Sequence, residues 1–221
     1  MSAPHALDEA GLRLALDRLA SRDPDVAAAL ARLGYPPPRV RPEGFATLLQ
    51  AIVAQQLSTR AAAAIWARVE AACGTDGVRP EAVLALDAPA LRACGFSGRK
   101  VEYAHGLASS VLAGALDPTA LALADDETAI QAIAALRGFG RWSAEIYLLF
   151  ALGRPDVFPA DDLALQIGFQ RLKGLEARPT AKALRLLTEP WAPWRGAGAI
   201  FLWKVYGSAT LDGTAAVQPT P

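Results

Sequence analysis

Two short segments of the chain carry the residues best suited to chemistry. The first, LRGFGRWSAE over 136–145, places Gly138 and Gly140 on either side of Phe139, just before a segment with helical periodicity. Glycine adopts positive φ at little cost, so the pair predicts a tight reversal that Phe139 fixes by packing inward. The first N–H groups of the next helix, with the cation of Arg141, would then suit an anion such as a backbone phosphate. Taken alone, the glycines are also typical of an ordinary corner between two helices.

The second segment, VFPADDLAL over 157–165, places Asp161 and Asp162 where a helix is predicted to begin after Pro159. An acidic residue at such a position is typical of an N-cap. A carboxylate can also stabilise positive charge that develops on a substrate, and it can orient or deprotonate a water molecule. The acidic pair alone therefore leaves both capping and catalysis open.

The elements that position these segments are predicted to be helices. Apolar residues recur at helical spacing almost throughout, and alternating strand-like stretches are nearly absent, so we expect an all-α fold. The predicted helices cover residues 7–20, 24–33, 43–56, 58–72, 80–94 with a break, 98–113, 125–136, 141–152, 161–172, 179–190 and 194–208. The predicted N-caps are Ser58, Ser97, Asp125 and Thr180. We expect a single domain over 1–209 and a mobile tail over 210–221, which has no packing pattern.

Composition limits the class of protein. The chain has 221 residues, of which 52% are hydrophobic, enough for a buried core. Its net charge of +0 argues against a global basic surface for nucleic acid, although backbone N–H groups can bind a phosphate without adding formal charge. No apolar run is long enough to cross a bilayer and no secretory signal is present, so a cytoplasmic location without membrane association is expected. Cys73 and Cys94 are too few for an iron–sulfur cluster and are predicted to be packed thiols.

The hairpin segment resembles that of the helix-hairpin-helix DNA glycosylases, in which two glycines flank an apolar residue before a short polar link into a helix. Arg137 stands where relatives often have proline. The acidic pair followed by an apolar residue resembles the alkylpurine branch, DNA-3-methyladenine glycosylase II. Three more segments resemble this family: 51–69 its helix pair joined by a Gln-Gln-apolar-Ser turn, 95–108 its next segment, and 190–206 its last helix. Together these matches cover most of residues 43–208.

The resemblance implies a fold with two helical subdomains that flank a DNA-binding cleft. It implies a monofunctional enzyme that flips alkylated purines, of the 3-methyladenine and 7-methylguanine type, out of double-stranded DNA and hydrolyses the N-glycosidic bond. We expect a nucleoid-associated monomer. Only about forty residues precede Gly44, so an additional N-terminal domain of mixed α and β structure, present in some relatives, is expected to be missing and the site to be more open.

The resemblance also assigns roles to individual residues. The catalytic carboxylate is Asp162. The base pocket is expected to contain Trp142, Trp203, Gln55 and Asp161. The DNA-binding hairpin contributes Gly138, Phe139, Gly140, Arg141 and Ser143. The wedge that fills the gap left by the flipped base is Gln56 with Leu57; exposed amides at a helix C-terminus are the alternative for Gln55 and Gln56. No cofactor is required, and a structural Na⁺ or K⁺ is expected on the backbone carbonyls of Ala134, Leu136 and Phe139.

Trp142 bears on the type of reaction. Glycosylases that also cut the DNA backbone carry a nucleophilic lysine at this hairpin position, and tryptophan there favours a monofunctional enzyme. Core packing is the alternative for any helical tryptophan, and we assign it to Trp66, Trp191 and Trp194. Three other functions stay open: a non-catalytic helix-hairpin-helix DNA-binding protein, a bifunctional glycosylase and lyase that uses Lys204, and a helical small-molecule binder.

Overall fold

The computed structural model describes residues 6–208, and no β-strand occurs in that range. The all-α prediction is confirmed. The helices are α1 Glu9–Ala20, α2 Pro24–Leu33, α3 Phe45–Ala54, α4 Thr59–Cys73, α5 Pro80–Ala85, α6 Ala88–Cys94, α7 Gly98–Leu112, α8 Pro118–Leu123, α9 Asp126–Ala134, α10 Arg141–Phe150, α11 Leu163–Lys173, α12 Ala181–Leu187 and α13 Arg195–Gly207, with a 3₁₀ turn at Glu189–Trp191. None of these helices is long and apolar enough to span a membrane. The predicted tail at 210–221 lies outside the described residues.

The helix ends follow local signals in the sequence. The side chains of the four predicted caps accept hydrogen bonds of 3.0–3.3 Å from backbone N–H groups three residues later: Ser58, Ser97, Asp125 and Thr180. The helix α8 was not predicted, although Asp117 caps it and proline opens it. The helix predicted over 43–56 ends at Ala54.

The chain divides into two compact units. One comprises the described residues up to Val40 and from Leu148 onward, and the other comprises Arg41–Tyr147. In the first unit α11 packs along α13, and in the second α7 packs on α3 and α5. The predicted extent of a single domain, 1–209, stays a prediction.

Predictions about buried side chains were partly correct. Trp191 is buried in the core, as expected. Trp66 and Trp194 are only half-buried, and each contacts a charged side chain, so their assignment to the core is wrong. Cys94 is buried and Cys73 half-buried, and both are free thiols, as predicted.

A buried carboxylate helps to hold the first unit together. Asp23 caps α2 and also accepts hydrogen bonds from Lys173 Nζ, at 2.6 and 2.7 Å, and from Trp191 Nε1, at 2.9 Å. Burial alone would oppose ionisation of this group. The bonds from Lys173 and Trp191 outweigh that effect and lower the pKa of Asp23 below its usual value of 3.8.

Asp23→Asn is expected to reduce the free energy of unfolding at neutral pH by about 3 kcal/mol, because it leaves a partly buried ammonium without its main partner. Since the folded-state pKa lies below the unfolded value, the contribution of Asp23 is present above about pH 4 and is lost as pH falls through the folded pKa. Urea unfolding between neutral and acidic pH should therefore show a shallower pH dependence for the variant. Asp25→Asn, which removes a half-exposed partner of the same lysine, is the control. Equal effects of the two substitutions would contradict the prediction.

Candidate functional site

The reversal between α9 and α10 depends on one of its two glycines. Gly138 has φ 93°, and a Cβ there would lie 2.4 Å from Cδ2 of Tyr103 in α7. Both the left-handed backbone and the close approach of the ring therefore require glycine. Gly140 is different: its φ is outside the left-handed region, and a Cβ would meet nothing within 4 Å. The expectation that the reversal uses both glycines is wrong for Gly140.

Phe139 anchors the hairpin from inside, as predicted. Its side chain is buried, and its backbone N–H donates to the carbonyl of Leu136 at 3.1 Å. Ala134 is the last residue of α9, so its carbonyl group belongs to the C-terminal turn of that helix. The three carbonyls expected to hold a monovalent cation thus lie in or beside the reversal, and their role stays a prediction.

The start of α10 presents backbone donors. Ala144 N–H makes a helical bond to the Gly140 carbonyl at 3.1 Å, so the N–H groups of the residues before it must find partners outside the helix. Ser143 is buried beneath this end, and the side chain of Trp142 is 39% exposed. This is the geometry that favours an anion at a helix N-terminus.

Arg141 has protein partners that the sequence analysis did not anticipate. Its guanidinium makes a bidentate pair with Glu127, at 2.9 and 2.8 Å, and a third bond to the buried carboxylate of Glu145 at 2.9 Å. The bond from Glu127 and the charge of Glu145 raise the pKa of Arg141, against the effect of burial. Its charge is therefore largely compensated within the protein. The i,i+4 spacing of Arg141 and Glu145 was the available signal for the second pair.

The Gln-Gln turn lies against the hairpin. Gln55 follows the end of α3, and its Nε2 donates to the carbonyl of Gly138 at 2.7 Å. Gln56 is exposed and has φ 58°, and Leu57 is half-buried. The alternative of exposed amides is therefore wrong for Gln55, whereas Gln56 does project from the turn. The base-pocket role of Gln55 and the wedge role of Gln56 and Leu57 stay predictions.

Asp162 is a helix cap that also contacts an indole. It is half-buried and precedes α11, and its Oδ1 accepts a hydrogen bond from Leu165 N–H at 3.1 Å. The same oxygen accepts from Trp203 Nε1 at 3.3 Å. The carboxylate therefore has a fixed orientation beside an aromatic ring, and the two interpretations of the acidic pair are compatible for this residue.

Trp203 is enclosed by other side chains of the first unit. It is 6% exposed, and its ring centroid lies 5.5 Å from that of Phe150 at an angle of 39°. The guanidinium carbon of Arg39 lies 5.3 Å from the Trp203 centroid and 6.0 Å from the Phe150 centroid. Sequence reasoning did not find Arg39, because only the fold brings the loop before α3 to this indole.

Asp161, the other member of the pair, is exposed and forms an ion pair with Arg185 at 2.7 Å. The same guanidinium donates to the carbonyl of Phe158 at 3.2 Å. Asp161 therefore ties the loop before α11 to α12. Its membership of a base pocket stays a prediction.

A close helix crossing fixes the helix of Asp162 against the helix of Trp203. A Cβ on Gly168 of α11 would lie 2.5 Å from the carbonyl oxygen of Leu202 in α13. Glycine thus allows the two backbones to approach, and this approach brings Asp162 within hydrogen-bonding distance of Trp203.

Gly168→Ala is expected to lower the free energy of unfolding by about 1–3 kcal/mol, because the added methyl group meets backbone that cannot move alone. Gly106→Ala in α7 is the matched control: nothing lies within 4 Å of a Cβ there, so it should raise stability by about 0.5–1 kcal/mol. Urea unfolding of both variants measures the difference. Similar effects at the two positions would show that the crossing tolerates a side chain.

The predicted residues thus form two groups. In the Arg41–Tyr147 unit, the Gln-Gln turn and the hairpin are joined through Gln55 and Gly138. In the other unit, Asp162 and Trp203 are joined directly. Each group unites residues that are far apart in the sequence.

Known proteins resemble this chain in sequence and in fold. Residues 49–193 match the family of HhH-GPD superfamily base excision DNA repair proteins. The chain is similar to DNA-3-methyladenine glycosylase 1 of Schizosaccharomyces pombe, with 36% identity over 80% of this chain and 78% of the relative. It is also similar to DNA-3-methyladenine glycosylase 2 of Escherichia coli, with 31% identity over 82% of this chain and 66% of the relative.

Among solved structures, the chain is similar to S. pombe 3-methyladenine DNA glycosylase (Mag1) in complex with abasic DNA. The TM-score is 0.78 at 30% identity, over 91% of this chain and 98% of that chain. The family match covers more than half of the sequence and contains the hairpin, the Gln-Gln turn and Asp162. The chain therefore belongs to the HhH-GPD superfamily of base excision DNA repair proteins.

Proposed function

We propose that this chain is a monofunctional DNA glycosylase that removes alkylated purines from double-stranded DNA. Two relatives with at least 31% identity are named DNA-3-methyladenine glycosylases, and the Mag1 relative was solved with abasic DNA, the product of such a reaction. The observation that carries the proposal is the Asp162 carboxylate, oriented beside the Trp203 indole by a hydrogen bond of 3.3 Å.

The protein need not protonate the departing base strongly. Alkylation at a ring nitrogen makes the purine cationic, so the base can leave with the electron pair of the N-glycosidic bond without strong protonation. Positive charge then grows on the deoxyribose, and the negative charge of Asp162 stabilises it and orients the water that adds to C1′. The products are the free base and an abasic site.

Aromatic side chains suit an electron-poor base. A cationic purine is favoured over the electron-rich face of an indole, and Trp203 and Trp142 are the predicted aromatic partners. The ring of Trp203 already contacts the guanidinium of Arg39. The ring is only 6% exposed, so an alkylated purine would have to replace Arg39 to make the same interaction.

DNA binding is assigned to the hairpin. The N-terminal end of α10 offers backbone N–H groups to a phosphate, and the protein carboxylates around Arg141 leave this role mainly to the backbone. A Na⁺ or K⁺ on the carbonyls of Ala134, Leu136 and Phe139 fits the donor type that such ions prefer, since all three are backbone oxygens in or beside the reversal. When bound, it would add positive charge next to the phosphate.

Release of free base from alkylated DNA tests the proposal. The full chain is incubated with duplex DNA that contains 3-methyladenine and 7-methylguanine, and the released bases are separated by chromatography. We expect free methylated purine and a strand that breaks only after alkali treatment. Absence of released base would overturn the glycosylase proposal and favour a non-catalytic DNA-binding protein.

A covalent trapping experiment tests the alternative of a bifunctional glycosylase and lyase. Lys204, its candidate nucleophile, donates to the carbonyl of Tyr35 at 3.0 Å, an interaction that holds its ammonium within the protein. Borohydride reduction during the reaction would trap a covalent protein–DNA adduct if a lysine formed a Schiff base. We expect no adduct, and a trapped adduct lost in Lys204→Met would establish the bifunctional mechanism.

A further inference from the structure

The C-terminal end of α3 is held by a lysine from another helix. The last turn of α3 contains no basic residue of its own. Lys100, in the first turn of α7, donates from Nζ to the carbonyl of Val53 at 2.7 Å and to the carbonyl of Gln55 at 2.8 Å. Carbonyls at a helix C-terminus lack helical partners, and an ammonium group satisfies them and favours the negative end of the helix dipole. The side chain is half-buried, and burial lowers the pKa of Lys100.

The turn that follows has an unfavourable backbone. Gln56 is the only residue other than glycine among 6–208 with φ in the left-handed region, at 58°. Such a conformation persists in a non-glycine residue when its surroundings hold it. Within the turn itself, the bonds are longer: Gln55 N–H to Ile52 at 3.4 Å and Leu57 N–H to Ala54 at 3.2 Å. The short bonds from Lys100 are therefore the stronger restraint on this backbone.

Gln55, the residue before the strained one, is fixed at two points. Its carbonyl accepts from Lys100, and its side-chain amide donates to the Gly138 carbonyl of the hairpin at 2.7 Å. Lys100, Gln55 and Gly138 therefore form a continuous chain of contacts between α7, the turn and the hairpin. Removing the lysine would release the turn from one of its two attachments.

We propose that Lys100 is a positioning residue for nucleotide flipping, which holds the turn of Gln55, Gln56 and Leu57 in the conformation that enters the DNA duplex. This rests on the proposed function, because it requires that the turn act as the wedge. The ammonium acts on protein carbonyls, so its loss should impair unstacking of the DNA more than it changes general affinity for duplex. Arginine at this position retains the charge but places its donors differently, so it should restore the geometry only in part.

Fluorescence of 2-aminopurine next to a tetrahydrofuran abasic analogue in duplex DNA reports insertion of the wedge, because the base brightens when it loses stacking. Lys100→Met is compared with Lys182→Met, which also removes one positive charge but from an exposed site in α12. We expect the rate of unstacking to fall about 10-fold or more in Lys100→Met, with Lys100→Arg intermediate and Lys182→Met unchanged. The salt dependence of duplex binding should be equal in the two methionine variants. Equal unstacking in these two variants would overturn the inference.

A second measurement examines the turn without DNA. If Lys100 stabilises the left-handed conformation of Gln56, Gln56→Gly removes the need for that support. Lys100→Met should therefore lower the melting temperature less in the Gln56→Gly background than in the wild type, and equal shifts would overturn the inference. Failure of the proposed function is distinguishable: wild-type protein would then unstack the probe without releasing a methylated base.

Discussion

Asp162→Asn is expected to lower the single-turnover rate of base release by about 10²–10³-fold while affinity for duplex DNA changes little. Asparagine has the shape of aspartate, and its side-chain oxygen can still accept from Leu165 N–H and Trp203 Nε1. Asparagine is also a good N-cap, so α11 should begin as before. What the substitution removes is the negative charge that the proposed mechanism places beside the sugar.

The control for this prediction is another aspartate that caps a helix. Asp87 accepts from Ala90 N–H at 2.8 Å at the start of α6, and it is exposed. Asp87→Asn removes the same charge and keeps the same cap, so base release should equal that of the wild type. If Asp162→Asn and Asp87→Asn released base at equal rates, Asp162 would be a cap alone and the non-catalytic interpretation would hold. Thermal melting of both variants excludes loss of folded protein as the cause.

The case of Asp162 shows why the acidic pair could not be resolved from the sequence alone. Capping depends on neighbours within three residues, and the sequence displays it. The contact with Trp203 spans 41 positions and exists only because Gly168 lets two helices cross closely. Local rules predicted the cap, and only the resemblance to a family suggested that Asp162 and Trp203 belong to one site. In the structure, Oδ1 of Asp162 accepts the hydrogen bonds of both interactions.

The same limit explains which residues were missed. The hairpin and the four N-caps were predictable, because turns and caps are encoded by adjacent residues. The Gln-Gln turn was expected only from the family resemblance, since the residues themselves predicted a helix through position 56. Lys100, Tyr103 and Arg39 carry no local signal, since each acts on a distant segment: Lys100 on α3, Tyr103 on Gly138 and Arg39 on Trp203. The assumed need for glycine at position 140 failed for the opposite reason: local propensity permits a left-handed conformation there, but the fold does not use it.

Gly138→Ala is expected to reduce the free energy of unfolding by about 3 kcal/mol or more. Two costs add at this position. Alanine is unfavourable at φ 93°, and its Cβ would overlap the ring of Tyr103. Relief of either cost requires the hairpin to shift, and the carbonyl that binds Gln55 would shift with it.

Gly140→Ala, two residues away, is the control. It shows whether the hairpin requires glycine specifically at position 138 or is destabilised by any substitution of its glycines. A Cβ at 140 has open space and an ordinary backbone, so the variant should match the wild type in urea unfolding and in its affinity for duplex DNA. Gly138→Ala should lose both stability and affinity, because the start of α10 moves when the reversal does. Equal tolerance at the two positions would mean that Tyr103 can yield to the new methyl group, and the hairpin would then be less rigid than its contacts indicate.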